Sequence, residues 1–343
     1  MKMTFRWYGL NDSIPLDYIR QIPGMSGVVT AVYDVAPGEV WPDESISALK
    51  KACDEKGLEM EVIESVPVPE DIKLGRGKRD EYIEAYKANV EKLGKAGVKV
   101  ICYNFMPVFD WVRTVLAKKN ADGSTSLAYR DDDIKKLDPR KLSLPGWDES
   151  YTGEQLNALL DAYKGMTHEQ LFANYVYFLE RVLPVCEKYG VKMAVHPDDP
   201  PWDLFGLPRI VSTEADIDRL FEALPSPANG LTFCTGSLGA GRPDLPRLAE
   251  KFASRIYFAH LRNIEFSAEH DFAETAHLSS CGSLDMYAIV KGLLKGGFDG
   301  YVRPDHGRNV WGESGKPGYG LYDRAMGAAY LNGLFEAAEK ESK

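Results

Sequence analysis

The chain has 343 residues, is 44% hydrophobic and 27% charged, and carries a net charge of −10 from 41 Lys+Arg against 51 Asp+Glu. That length admits one large domain or two ordinary ones with a sizeable core, while the acidic balance argues against general nucleic-acid binding. The lack of a long apolar run argues against a membrane span, and five scattered cysteines with no apolar signal segment in MKMTFRWYGL point to a cytoplasmic protein with reduced thiols rather than a disulfide scaffold.

Along the chain, short β-rich apolar runs alternate with longer amphipathic stretches. Strands are predicted at residues 4–7, 27–31, 59–63, 99–103, 192–196, 231–234, 256–260 and 300–303. Helices are predicted between and after them, at 14–20, 44–56, 80–96, 168–189, 213–223, 245–253, 284–295 and 321–339. Gly57, Gly97, Gly190 and Gly296 stand where a helix ends in positive φ. Thr167, with Gln170 three residues on, predicts a capping box. Runs such as VKVICY and VKMAVH read as buried parallel strands. Eight strand–helix units predict an α/β fold, a (β/α)8 TIM barrel in one domain over residues 1–343.

The regular beat stops after the fourth strand. Residues 104–166 form an insertion too long for a structureless connection, expected to be a lid or subunit-contact element with helices of its own. A smaller insertion, 263–282, follows the seventh strand. Both leave the C-terminal ends of strands, the face where barrel enzymes build their sites.

Four consecutive strands deliver reactive side chains to that face: His196 in MAVHPDDPP, Cys234 in LTFCTGSLG, His260 in IYFAHLRNI and Asp305 in YVRPDHGR. Taken singly, each has an ordinary structural reading as packing or a loop cap. Together, two neutral imidazoles, a thiolate and a carboxylate balance a divalent cation, and the thiolate disfavours Mg²⁺ and Ca²⁺. A closed tetrahedron of the four would be a structural zinc site, whereas a five- or six-coordinate metal leaves room for substrate. Cys53, Cys102 and Cys186 read as packing, and Cys281 lies in a loop. Around the proposed metal, His306 follows Asp305 and reads as a base. Arg6, Arg262 and Arg308 are candidates for gripping a carboxylate, with Asn263 beside Arg262. PGYGLYDR adds Tyr319 and Tyr322, while Trp7 and Tyr8 follow Arg6 and have a plain packing reading as the alternative. The Gly-rich TGSLGAGRPD allows close backbone approach but lacks phosphate-loop spacing.

FRWYG, CYNFMPVFDW, AVHPDDPP, TFCTGSLG, FAHLRN, RPDHGR and PGYGLYDRAMGAAYLNGL together resemble the mannonate dehydratase family in its shorter form, over most of the chain. The resemblance implies a xylose-isomerase-like barrel that dehydrates D-mannonate to 2-keto-3-deoxy-D-gluconate in hexuronate breakdown, with Mn²⁺ or Fe²⁺. It implies metal ligands at His196, Cys234, His260 and Asp305, a proton-transfer pair at His306 and Tyr319, and a homodimer. Two other readings are weighed against it: a metal-dependent sugar isomerase or epimerase on the same barrel, and a non-catalytic sugar-acid-binding protein with structural zinc. A sugar-acid substrate, with neither nucleic acid nor membrane as a partner, is the common expectation.

Overall fold

The computed structural model describes residues 1–141 and 151–341. Among them run β1 (Lys2–Arg6), β2 (Met25–Thr30), β3 (Glu59–Glu64), β4 (Val100–Tyr103), β5 (Val115–Lys119), β6 (Thr125–Tyr129), β7 (Lys192–Val195), β8 (Asn229–Cys234), β9 (Ile256–Leu261), β10 (Ile264–Phe266), β11 (Phe272–Glu274) and β12 (Tyr301–Pro304). Eight of these close a parallel barrel in the order β1-β12-β9-β8-β7-β4-β3-β2. They are the eight strands predicted from the alternation, and helices lie within a few residues of each predicted stretch.

Strand alternation decides which side chains meet the barrel axis. Val29, Val62, Val100, Cys102, Ala194 and Phe258 pack as a small cluster of their own. Their neighbours Val28, Ile63, Ile101, Met193 and Ala259 belong instead to the large core shared with the helices. Continuing the inner parity toward the C-terminal rim brings in Arg6, Glu64, His196, Cys234, His260, Arg303 and Asp305. Trp7 has the opposite parity and is buried in the large core, so its assignment as a substrate-binding residue gives way to the packing reading.

The long connection after β4 carries helices of its own, as expected, and adds an element not expected, a β5–β6 hairpin, which joins β10 and β11 from the loop after β9 in a four-stranded antiparallel sheet ordered β10-β11-β6-β5. The signal for the hairpin is the Asn120–Gly123 turn, in which Gly123 takes φ +85°. Among the described residues of this stretch the helices are the short Asp131–Ile134, a 3-10 turn at Pro139–Lys141, and Gly153–Ala162; residues 142–150 lie outside the described residues. TGSLGA forms a helix, Thr235–Ala240. Its glycine has a packing reason: a Cβ on Gly236 would lie 2.2 Å from Arg262 Nε.

The capping box at Thr167 forms as read, and the helix it opens ends on Gly190 at φ +67°. Gly57 and Gly97 also take positive φ, but Gly296 does not; Gly297 takes it instead, at φ +84°. Gly296 is needed for packing, because a Cβ there would lie 2.4 Å from Ala253 Cβ. Closer still is the contact at Gly27, where a Cβ would lie 2.3 Å from the backbone oxygen of Glu59 across the β2–β3 pair. A backbone carbonyl cannot turn aside as a side chain can. Gly27→Ala is therefore expected to cost about 1–3 kcal/mol, read as a lower denaturant midpoint with unchanged slope; an unchanged midpoint would show that these strands part freely.

Candidate active site

The inner parity of β7, β8 and β9 brings one ligand atom each from His196, Cys234 and His260 within 4.8 Å of one another. Asp305 flanks this trio. Its Oδ2 lies 3.6 Å from Cys234 Sγ and its Oδ1 3.8 Å from His260 Nδ1. Arg303 holds Oδ1 at 2.6 Å, and Arg262 Nε holds Oδ2 at 2.9 Å.

The electrostatics favour a cation here. Burial opposes the Cys234 thiolate, but Arg262 and the neighbouring imidazoles of His196 and His260 hold the thiol well below its ordinary range. Burial also opposes charge on His196, yet the Cys234 sulfur beside it pushes its pKa up to about 9. A metal bound between them would take the place of that proton. His260 is fully buried; its Nδ1 lies 3.8 Å from Asp305 Oδ1, and its Nε2 makes no hydrogen bond and lies 3.5 Å from Glu64 Oε2. A buried nitrogen without a hydrogen bond calls for an explanation, and metal ligation by this ring would supply one. The donor set of imidazole, thiolate and carboxylate suits a first-row divalent ion.

A second trio, Glu64, Cys102 and His260, lies next to the first. Burial, with Glu64 nearby, pushes the Cys102 thiol well up, so it keeps its proton. Arg303 and Arg6 also lie 3.2 and 3.9 Å from the Glu64 carboxylate. Positive charge already fills that position, and the packing reading of Cys102 stands.

Beside the trio, His306 Nε2 lies 2.9 Å from the Tyr319 hydroxyl, and His306 Nδ1 lies 2.8 Å from Glu274 Oε1. Burial and the neighbouring Tyr8 push the Tyr319 phenol well above its ordinary range, so it is protonated. Trp111 packs against the His306 ring with centroids 5.4 Å apart.

Under these groups runs a buried ion-pair network. Arg113 grips Asp199 with two hydrogen bonds, of 2.8 and 3.0 Å, and reaches Glu274 Oε1 at 3.0 Å. Arg262 joins Asp199 at 2.9 Å, Glu274 through Nη1, and Asp305. Burial would raise the Asp199 carboxyl, yet Arg113 and Arg262 hold it well below the carboxylate range.

Of the residues expected to contact substrate, Arg6 lies at the rim, with its guanidinium 4.9 Å from the Tyr8 ring centre, its Nη1 donating to the Glu64 backbone oxygen and 3.9 Å from the Glu64 carboxylate. The others are engaged as follows. Arg262 is consumed by three carboxylates. Asn263 holds the backbone of Leu278 and Leu284. Arg308 bridges Asp323 and, in the β5–β6 turn, Asp122. Tyr322 is exposed on the last helix, beside Trp311. Sequence reasoning missed Arg113, Asp199, Glu274, Glu64 and Arg303. The parity of EMEVIE and YVRP carries a signal for Glu64 and Arg303, whereas Arg113 and Glu274 come from the insertions, where no period points inward.

The profile of the D-mannonate dehydratase (UxuA) family matches residues 1–343. The chain is 52% identical over 342 residues to a protein named mannonate dehydratase 2 from Halalkalibacterium halodurans, covering 98% of this chain and 99% of that one. It is also 52% identical to the mannonate dehydratase of Thermotoga maritima, covering 100% and 99% of the two chains. The crystal structure of the mannonate dehydratase of Streptococcus suis serotype 2 superposes with a TM-score of 0.93 at 48% identity, covering 100% of this chain and 96% of that one. D-psicose 3-epimerase shares the fold alone, with a TM-score of 0.59 at 9% identity over 98% of this chain and 99% of that one.

The network carries the prediction. Arg113→Met leaves buried Asp199 and Glu274 short of a guanidinium. It is expected to lower unfolding stability by about 3–5 kcal/mol in denaturant titration. A loss under about 1 kcal/mol, the size typical of an exposed pair, would mean the network holds nothing together.

Proposed function

The chain belongs to the D-mannonate dehydratase family of hydro-lyases, and from that membership we propose that it converts D-mannonate to 2-keto-3-deoxy-D-gluconate at the rim just described. The observation that carries this reading is that two groups adjoin at one rim: His196, Cys234 and His260, with ligand atoms within 4.8 Å of one another, and a His306–Tyr319 pair at 2.9 Å whose His306 Nε2 lies 4.0 Å from Asp305.

Dehydration of a sugar acid removes the proton on C2, next to the carboxylate, and expels the C3 hydroxyl. His196, Cys234, His260 and Asp305 would hold a divalent ion, Mn²⁺ or Fe²⁺ on this reading, which supplies Lewis-acid stabilisation of negative charge on substrate oxygen. His306 takes the C2 proton on Nε2, since imidazole is the usual side chain for proton transfer near neutral pH. Tyr319, kept neutral by burial, gives its proton to the departing hydroxyl, which leaves as water. The 2.9 Å contact between the two groups then returns the proton from His306 to the Tyr319 oxygen, and both regain their starting states. Arg6 is the guanidinium assigned to the substrate carboxylate, because a planar fork matches it. The homodimer implied by the resemblance and the cytoplasmic location expected from the composition belong to this same reading; among the described residues no helix is long and apolar enough to cross a membrane.

Chelated protein is expected to lose turnover and to regain it with Mn²⁺, forming from D-mannonate a keto-deoxy acid detectable as an α-keto product. An isomerase or epimerase would form no such acid, and turnover that persists without metal would end the Lewis-acid account. Cys234→Ser should lower metal content and rate together; full metal and full rate would remove the sulfur from the site.

A further inference from the structure

Glu274 is fully buried, lies in β11 outside the barrel, and has no part in the metal set. Four donor atoms converge on its Oε1: Arg113 Nε at 3.2 Å, Arg113 Nη2 at 3.0 Å, Arg262 Nη1, and His306 Nδ1 at 2.8 Å. Its backbone is fixed as well, because Glu274 pairs with Ile264 of β10 and the adjacent Ala273 with Ala128 of β6. The carboxylate is therefore held by a strand pair on each side, by Arg113 from the first insertion and by Arg262 just past the end of β9.

We propose that Glu274 is a positioning residue that sets the orientation and tautomer of His306, and that the sheet formed by the two insertions exists in part to hold it there. The inference rests on His306 being a proton-transfer group. An ionised carboxylate only accepts hydrogen bonds, so the contact with Nδ1 places the ring hydrogen on that nitrogen. In the neutral ring Nε2 is then the lone-pair atom, and the Tyr319 hydroxyl donates to it. Without Glu274 the imidazole could turn about its χ2 axis or carry its hydrogen on Nε2, and in either case the nitrogen facing Tyr319 and the substrate would no longer be ready to accept a proton. Orientation of a catalytic imidazole by a buried carboxylate is an established device. Here the carboxylate comes from a strand added to the barrel rather than from the barrel itself.

The test is a double-mutant cycle on metal-loaded protein, using Glu274→Gln, His306→Asn and the pair. Glu274→Gln keeps the side-chain shape; Glu274→Asp keeps the charge for Arg113 and Arg262 while drawing the carboxylate away from the imidazole, and serves in the cycle if the Gln variant does not fold. Either single change is expected to lower kcat about tenfold to a hundredfold, with KM and bound metal unchanged. In the His306→Asn background the same change should lower the residual rate no further, because Glu274 acts through that ring. A kcat within twofold of the parent, or an equal fractional loss in both backgrounds, would overturn the proposal and leave Glu274 as a partner of the arginines alone. Full turnover by His306→Asn itself would instead remove His306 from the chemistry, a distinct failure of the reading beneath.

Discussion

Two guanidiniums buried against three carboxylates set the geometry of this rim. Arg113 and Arg262 are each 1% exposed or less, as is Glu274, while Asp199 and Asp305 are 1% and 2% exposed. Charges taken so far from water are tolerated only when every partner is in place. The requirement ties together four segments that are distant in sequence: the connection after β4, the loop after β7, the β9–β11 segment and the end of β12. Each brings a member of the network, the β9–β11 segment bringing both Arg262 and Glu274, and each also brings a group to the site. Trp111 accompanies Arg113, His196 precedes Asp199, His260 precedes Arg262, and His306 follows Asp305. Holding the ions in register therefore holds the chemistry in register.

The same network sets the charge of the site. Arg262 lies 3.9 Å from the Cys234 sulfur and 2.9 Å from Asp305, so the two acidic donors of the proposed metal set stay ionised despite burial. Two imidazoles complete the set. Around Glu64, by contrast, Arg303 and Arg6 already supply positive charge, which would leave a bound cation to one side of His260. The division between a proposed metal-holding half and an arginine-filled half follows from which inward-facing positions carry acid and which carry base.

The barrel was legible because its signals are periodic. Alternation of strand and helix, glycines after helices and a capping box all repeat along the chain, and within each strand the period of two separates inner from outer faces. Their place at the ends of four consecutive strands marked His196, Cys234, His260 and Asp305 as neighbours, and the period of two, applied to FRW, assigns Trp7 to the core. What stayed hidden lies off the period. The β5–β6 hairpin is short, and its strand partner comes from a loop some 140 residues later. Glu274 and Arg113 are single charged residues in irregular segments, and nothing local distinguishes them from surface charges. Arg262, Asn263 and Arg308 were visible as polar groups near the site, but only coordinates show that Arg262 and Arg308 are committed to buried or half-buried ion pairs and Asn263 to backbone groups.

Sulfur is the donor that would separate the proposed metal set from one built of nitrogen and oxygen alone, and it can be seen directly. X-ray absorption at the manganese edge of Mn²⁺-loaded protein should show a coordination shell with one sulfur among nitrogen and oxygen neighbours. A shell of nitrogen and oxygen alone would place the ion away from Cys234 and contradict the convergence of His196, Cys234 and His260 on which the account depends.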